Sequence, residues 1–163
     1  MFEGVVLAAQ REAEEKKVRL YGNLLANLAF AQDHDRSQAN FLIRLGEDLS
    51  YRQLCLLSLF AGNTLLSDAD NSSDADNPLG LRERDYSDHV GKVNNPDLLM
   101  LLQETYDLYQ RGIVSSGTYV MLSPATANPS QISPVGAAWS LYFLMELREV
   151  SKDDLAVLME LLS

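Results

Sequence analysis

The chain has 163 residues, 47% of them apolar, and 13 Lys and Arg against 23 Asp and Glu leave a net charge of −10. That length is enough to bury one continuous core and predicts a single domain over 1–163, while the acidic balance repels nucleic acid and anionic lipid and disfavours both as partners. No apolar run nears the ~18 residues of a membrane span, Glu3 stands where a secretory leader would carry positive charge, and the one cysteine, Cys55, lies in the apolar run Leu54 to Leu57, so a cytoplasmic setting is expected.

Residues 1–32 predict one long helix without an interrupting proline. Arg11 precedes Glu15, and Glu12 precedes Lys16, by one turn, which marks a solvated middle, whereas Tyr21, Leu24, Leu25 and Leu28 recur at the spacing of one buried face. The helix is therefore expected to dock by its C-terminal end. The charged segment 11–17 would project beyond that end, and two copies are expected to pair through their first helices. Ser37 to Leu45 predicts a short helix closed by Gly46, with Phe41, Leu42 and Leu45 inward. Ser50 followed by Gln53 is a capping box that opens a helix with Leu54, Leu57 and Phe60 on its apolar face and Gly62 at its end.

Residues 63–95 read as an irregular acidic linker, and within it SDADNSSDADNP, 67–78, nearly repeats itself. A calcium loop starting at Asp68 would place Asp70, Ser72 and Asp76 at ligand positions, but Ser73 replaces the turn glycine and Leu79 the bidentate glutamate. A start at Asp74 fails sooner, at Pro78 and Leu79. No metal is expected there, and the phrase reads as filler between helices.

Residues 96–150 predict a winged-helix-like portion. Asn95-Pro96-Asp97 supplies a cap, a first-turn proline and a first-turn acid for a helix that stops at Gly112. Ile113-Val114 and Thr118 to Leu122 flank Ser115-Ser116-Gly117 and predict a short β-hairpin. Ser133-Pro134 then opens an apolar helix, and Ser151 with Asp154 opens the last. The fold class expected is mainly α, with a winged-helix-like second half and one β-hairpin. Because the helix after Pro134 is apolar on all sides, Trp139, Leu141, Tyr142, Phe143, Leu144 and Met145 are expected in the core or a dimer seam.

No CxxC, HExxH, GxSxG, GxGxxG or phosphate-loop pattern occurs, so no catalytic, cofactor-binding or metal-ligating residue is assigned. Asp33 or Asp35 reads as a helix cap rather than a ligand set with His34. An enzyme would have to gather distant groups such as His34, Asp88 and His89. Ser115 to Gly117 reads as turn chemistry, Tyr106 and Tyr109 as partly buried core, and Cys55 as a buried hydrophobe. A winged helix suggests a DNA-binding transcription regulator, yet residues 112–145 carry no charge and the helix before them sets Asp97, Glu104 and Asp107 against Arg111 alone.

The phrases LLAN at 24–27, Leu49-Ser50 and Ile132-Ser133-Pro134-Val135-Gly136 resemble the Abi-alpha family of bacterial domains across about residues 17 to 147. The acidic stretch 67–78 and residues 81–93 depart from that pattern. The resemblance implies a role in abortive infection, a bacterial phage defence, and carries no catalytic residue. The expected function is a non-enzymatic interaction or oligomerisation module that binds a protein partner or forms a homodimer. Tyr21, Leu24, Leu28, Trp139, Tyr142 and Phe143 are its candidate interface residues.

Overall fold

The computed structural model describes residues 2–69, 77–89 and 95–163. Among them the order is α1 (Phe2–Phe30), α2 (Arg36–Asp48), α3 (Tyr51–Ala69), α4 (Pro96–Gln110), β1 (Val114–Ser115), β2 (Ser133–Pro134), α5 (Ala137–Leu144) and α6 (Lys152–Leu162). The architecture is mainly α.

Helix α3 is its axis. Every residue from Gln53 to Ala61 is buried, and α1, α4, α5, α6 and β2 all pack around it. A fully surrounded helix tolerates polar side chains only when each finds a partner. Gln53 donates from Nε2 to Asp107 Oδ2 at 2.7 Å, the Ser58 hydroxyl donates to the Leu147 carbonyl at 2.7 Å, and Asn63 Oδ1 accepts the Leu79 amide at 3.2 Å.

Several helix ends follow the sequence punctuation. The Ser50 and Gln53 side chains each bond the other's backbone amide, at 3.1 and 3.0 Å, and Asp35 forms the same box with Gln38. Asn95 accepts from the amides of Asp97 and Leu98. At the other end of α4, Gly112 adopts φ +71 while its amide reaches Tyr109 O and the Ile113 amide reaches Leu108 O. That pair of bonds is a glycine C-cap of the Schellman type.

Other expectations are corrected. Gly46 does not close α2; the helix runs through it to Asp48 because Gly46 is where α2 presses on α1. A Cβ there would sit 2.9 Å from Leu24 Cδ2, with Tyr21 and Met145 also at 3.7 Å. The wider side chain in Gly46→Val is expected to force α2 off α1 and cost about 1–3 kcal/mol, read as a lower urea midpoint at unchanged slope. Phe41 is not inward either: Leu42, Leu45, Gly46 and Leu49 take the core side and Phe41 stays 57% exposed. Likewise α3 does not stop at Gly62, since no proline or left-handed residue intervenes before Ala69, and the Thr64 and Ser67 hydroxyls bond back to the Phe60 and Asn63 carbonyls. The expected linker therefore begins late and includes ordered structure at 77–89; the rest of the repeated acidic phrase, 70–76, lies outside the described residues.

The hairpin also differs. Val114 pairs with Pro134 and Ser115 with Ser133, so the antiparallel partner of β1 comes from beyond residue 132 and 118–122 is not a strand. Gly117 turns the chain at φ +65, and Pro124 and Pro129 open two short 3-10 turns, Pro124–Thr126 and Pro129–Gln131. The segment between the strands does not stand out as a wing: the Tyr86 amide bonds Ala125 O at 2.7 Å, the Ser130 amide bonds Arg82 O at 3.1 Å, and the Tyr106 hydroxyl reaches Leu122 O. Local β propensity in 118–122 loses to these tertiary bonds. Pro134 accordingly sits in β2 rather than in the first turn of α5, and Gly136 is the residue before that helix.

Candidate functional site

Two concavities hold most of the chemistry-bearing side chains. The first is a cleft of about 480 Å³ where α1, α3, α4 and α6 meet, lined by Ala13, Lys16, Tyr51, Cys55, Asp154 and Leu158 among others. Asp154 is its hub. Lys16 Nζ donates to Asp154 Oδ2 at 2.9 Å and the Tyr51 hydroxyl donates to the same oxygen at 2.7 Å, while Lys16 also pairs with Glu12 at 3.0 Å and stands 5.7 Å from the Tyr51 ring centre. A second pair, Arg52 to Glu104 at 2.5 Å, flanks the cleft.

The protonation states follow from these contacts. Burial raises the Asp154 carboxyl, but the hydrogen bonds from Lys16 and Tyr51 outweigh it and hold the acid below its ordinary range. Asp154 and then Glu12 raise Lys16, so it stays an ammonium. Burial, followed by the bond to Asp154, pushes the Tyr51 phenol up, and burial pushes the Cys55 thiol up to about 11. At neutral pH the thiol and phenol keep their protons, and one oxygen of the carboxylate accepts from both Lys16 and Tyr51. These contacts tie the middle of α1 to α3 and α6.

Asp154 was expected in a capping box with Ser151. Ser151 makes no side-chain cap bond, and the Asp154 carboxylate, which would supply the reciprocal half of the box, accepts from Lys16 and Tyr51 instead. An acid at the third position of a helix reads as a cap in sequence, and nothing local shows that a lysine 138 residues away claims it.

The second concavity, also about 480 Å³, runs between α2 and α5 and is lined by His34, Asp35, Ser37, Gln38, Phe41, Leu42, Ala137 and Ser140. Phe41 is the Phe, Tyr or Trp side chain in that lining, and α5 carries further aromatic rings close in sequence to its lining residues. Phe143, one turn beyond Ser140, is 65% exposed and stacks on Trp139 at 6.3 Å between ring centres, and both rings meet Tyr142 edge-on. Helix α5 is fixed to α1 from below by Asn27 and Asn23, which donate to the carbonyls of Leu144 and Met145 at 2.8 and 3.3 Å.

The expected interface residues divide. Leu24 is fully buried and Tyr142 nearly so; both belong to the core, because Leu24 faces α2 at Gly46 and Tyr142 faces inward from α5. Tyr21, Leu28 and Trp139 are half-buried against that core, and only Phe143 of the six stands out into solvent. Leu141 and Met145 are fully buried and Trp139 and Leu144 pack against the core, so the apolar segment is core on its inner side and carries one exposed aromatic edge at Phe143. Phe41 belongs with that edge and was missed, since its spacing beside Leu42 made it look inward.

Among the remaining candidates, Cys55 is buried in α3, and Tyr106 and Tyr109 stack at 6.3 Å with both rings partly buried. The Ser116 hydroxyl donates to the Tyr119 carbonyl within the turn. His34 lines the α2–α5 groove, whereas Asp88 pairs with Arg82 in the 77–89 segment. Among the described residues, no three His, Cys, Asp or Glu side chains are placed to hold a metal ion. Arg111, the cation of the supposed recognition helix, is held by Asp107 at 2.8 Å and lies 3.9 Å from Asp48. No helix among the described residues is long and apolar enough to cross a membrane. No family model, curated protein or solved structure matches the chain.

Proposed function

We propose that this chain is a protein-interaction module, and that the α2–α5 groove, with Phe41 in its wall, together with the exposed aromatic edge of α5 at Phe143, receives an apolar helical segment of a partner. The observation that carries this reading is the exposure of Phe41 and Phe143, 57% and 65%, beside a groove whose α5 wall has no charged residue. Exposed aromatics beside a preformed groove are typical anchor points for an amphipathic helix. A place in phage defence is supported by the sequence resemblance to Abi-alpha domains, in which a contact module of this kind would act on another protein rather than on a substrate.

Trp139 is the sole tryptophan of the chain and stacks directly on Phe143, so its fluorescence reports on that edge. Titration with a set of short amphipathic helical peptides is expected to shift Trp139 emission saturably for those with an apolar face. In Phe143→Ser the affinity is expected to fall by about tenfold or more, the loss typical of an aromatic anchor. Peptides that leave the emission unchanged up to about 1 mM, or that bind Phe143→Ser equally well, would overturn the proposal.

A further inference from the structure

Helix α1 has a second face that the fold does not use. Its inner face presents Leu20 and Leu24 to the core. Diametrically opposite, Gly4, Ala8, Arg11, Glu15, Val18, Gly22, Leu25 and Ala29 succeed one another at alternating steps of four and three residues, and all eight are exposed. Such a 4-3 succession is the seam of a two-helix coiled coil. Val18 is 69% exposed and Leu25 43%, and a Cβ built on Gly4 or Gly22 would meet nothing within 4 Å. The chain's own packing therefore requires neither glycine, although each weakens a helix interior relative to alanine. Over 18–30 this outward side carries one charged residue, Arg19, in a chain whose net charge is −10.

The two charges within the seam identify what covers it. Among the described residues, Glu12 pairs with Lys16, but neither Arg11 nor Glu15 has an ion-pair partner. In an antiparallel pair of copies, seam residues meet in layers of unlike heptad position. One register places Arg11 opposite Glu15 of the second copy, and by symmetry Glu15 opposite Arg11. The same register puts Ala8 opposite Val18 and Gly4 opposite Gly22, so that the small residues let the backbones approach over about 28 Å of helix, with Leu25 and Ala29 beyond the paired stretch. Moving one copy by a heptad sets Arg11 against Gly22 and Glu15 against Val18, and a parallel arrangement sets Arg11 against Arg11 and Glu15 against Glu15. Both alternatives bury unpaired or like charges, which disfavours them.

We infer that two copies of this chain associate through the outward face of α1 as an antiparallel helix pair, registered by reciprocal Arg11–Glu15 ion pairs. The inference rests on the reading of the chain as an interaction module, but it uses a different face from the α2–α5 groove.

Sedimentation equilibrium of the full chain tests it. The wild type is expected to dimerise at roughly tens of micromolar, and Arg11→Glu or Glu15→Arg alone to weaken the dimer about tenfold or more, since each sets two like-charge pairs at the dyad. The double variant R11E/E15R is expected to recover to within about threefold of wild type. Circular dichroism of these exposed-site variants verifies that each is folded. A monomeric wild type, single variants that dimerise normally, or a double variant that fails to recover overturns the inference. Orientation is read separately: Gly4→Cys combined with Gly22→Cys is expected to form a covalent dimer on oxidation, and cross-linking by Gly4→Cys alone would show a parallel pair and overturn it. A monomeric chain that still gives the Trp139 response removes the dimer and keeps the groove reading; a dimer without that response does the reverse.

Discussion

Replacing Phe60 with alanine is expected to cost about 3–5 kcal/mol, the range for deleting a fully buried aromatic ring. Phe60 is wholly buried in the stretch of α3 that is enclosed on every side, so the cavity left behind cannot be closed by moving a loop or a single neighbouring helix. Domains of this size are stable by about 5–15 kcal/mol in total, and the variant would lie near the folding threshold at room temperature. Phe60→Leu refills most of the volume and is expected to cost less than about 1.5 kcal/mol. Urea unfolding followed by circular dichroism measures both, and the leucine variant keeps a readout if the alanine variant does not fold. An alanine variant within about 1 kcal/mol of wild type would mean that α3 is not the axis of the core.

Burial on every side is the property that composition alone does not locate: Leu141, Tyr142 and Met145 take the expected place in the core, but α3 is the helix enclosed all round. Helix α5 looks enclosed because AAWSLYFL has no charged or amide side chain, yet Phe143 stands in solvent. Helix α3 looks amphipathic because Gln53, Ser58 and Asn63 interrupt its apolar letters, yet all three are buried. Their partners are Asp107, the Leu147 carbonyl and the Leu79 amide, 54, 89 and 16 residues away. A buried polar side chain is indistinguishable from an exposed one until its partner is placed. Signals confined to one turn were legible instead: the Ser50–Gln53 box, the Asn95 cap, Asp35 before α2 and the left-handed Gly112 each act through neighbouring backbone. Gly46 shows the limit of that vocabulary, because a glycine that permits close approach of two helices has the same letter as one that ends a helix. For the candidate site, the aromatic edge of α5 could be anticipated from composition, whereas its companion Phe41 and the Lys16–Asp154–Tyr51 cluster depend on long-range placement.

Arg82→Ala is expected to loosen the turn 82–88 and to cost about 2–4 kcal/mol, from the loss of charge-assisted hydrogen bonds and a cation–π contact. The segment lacks the apolar pattern of a helix or strand; buried Leu81 and Tyr86 and the bond from the Arg82 amide to Leu162 O anchor it, and the Arg82 guanidinium holds its turn together. From Arg82, Nε donates to the carbonyls of Arg84 and Asp85, Nη2 to Asp85 O at 2.9 Å and to Asp88 Oδ1 at 3.3 Å, and the guanidinium lies 4.5 Å from the Tyr86 ring centre. Only 15% of the side chain is exposed, so these bonds are made with little competition from water. What the segment holds in turn is the excursion between β1 and β2: Tyr86 N to Ala125 O, Ser130 N to Arg82 O and Asn128 Nδ2 to Glu83 O. Loss of the guanidinium is therefore expected to raise amide exchange at Tyr86 and Ser130 together, while amides in the middle of α3 change only in proportion to the global loss. Arg82→Lys keeps the charge beside Asp88 but replaces a planar fork by a single ammonium that cannot bond two backbone carbonyls and stack on Tyr86 at once. Its stability and exchange rates are expected to lie closer to those of the alanine variant than to wild type. A lysine variant that matches wild type would assign the order of the turn 82–88 to charge alone, and an alanine variant with unchanged exchange at Ser130 would detach that loop from the Arg82 guanidinium altogether.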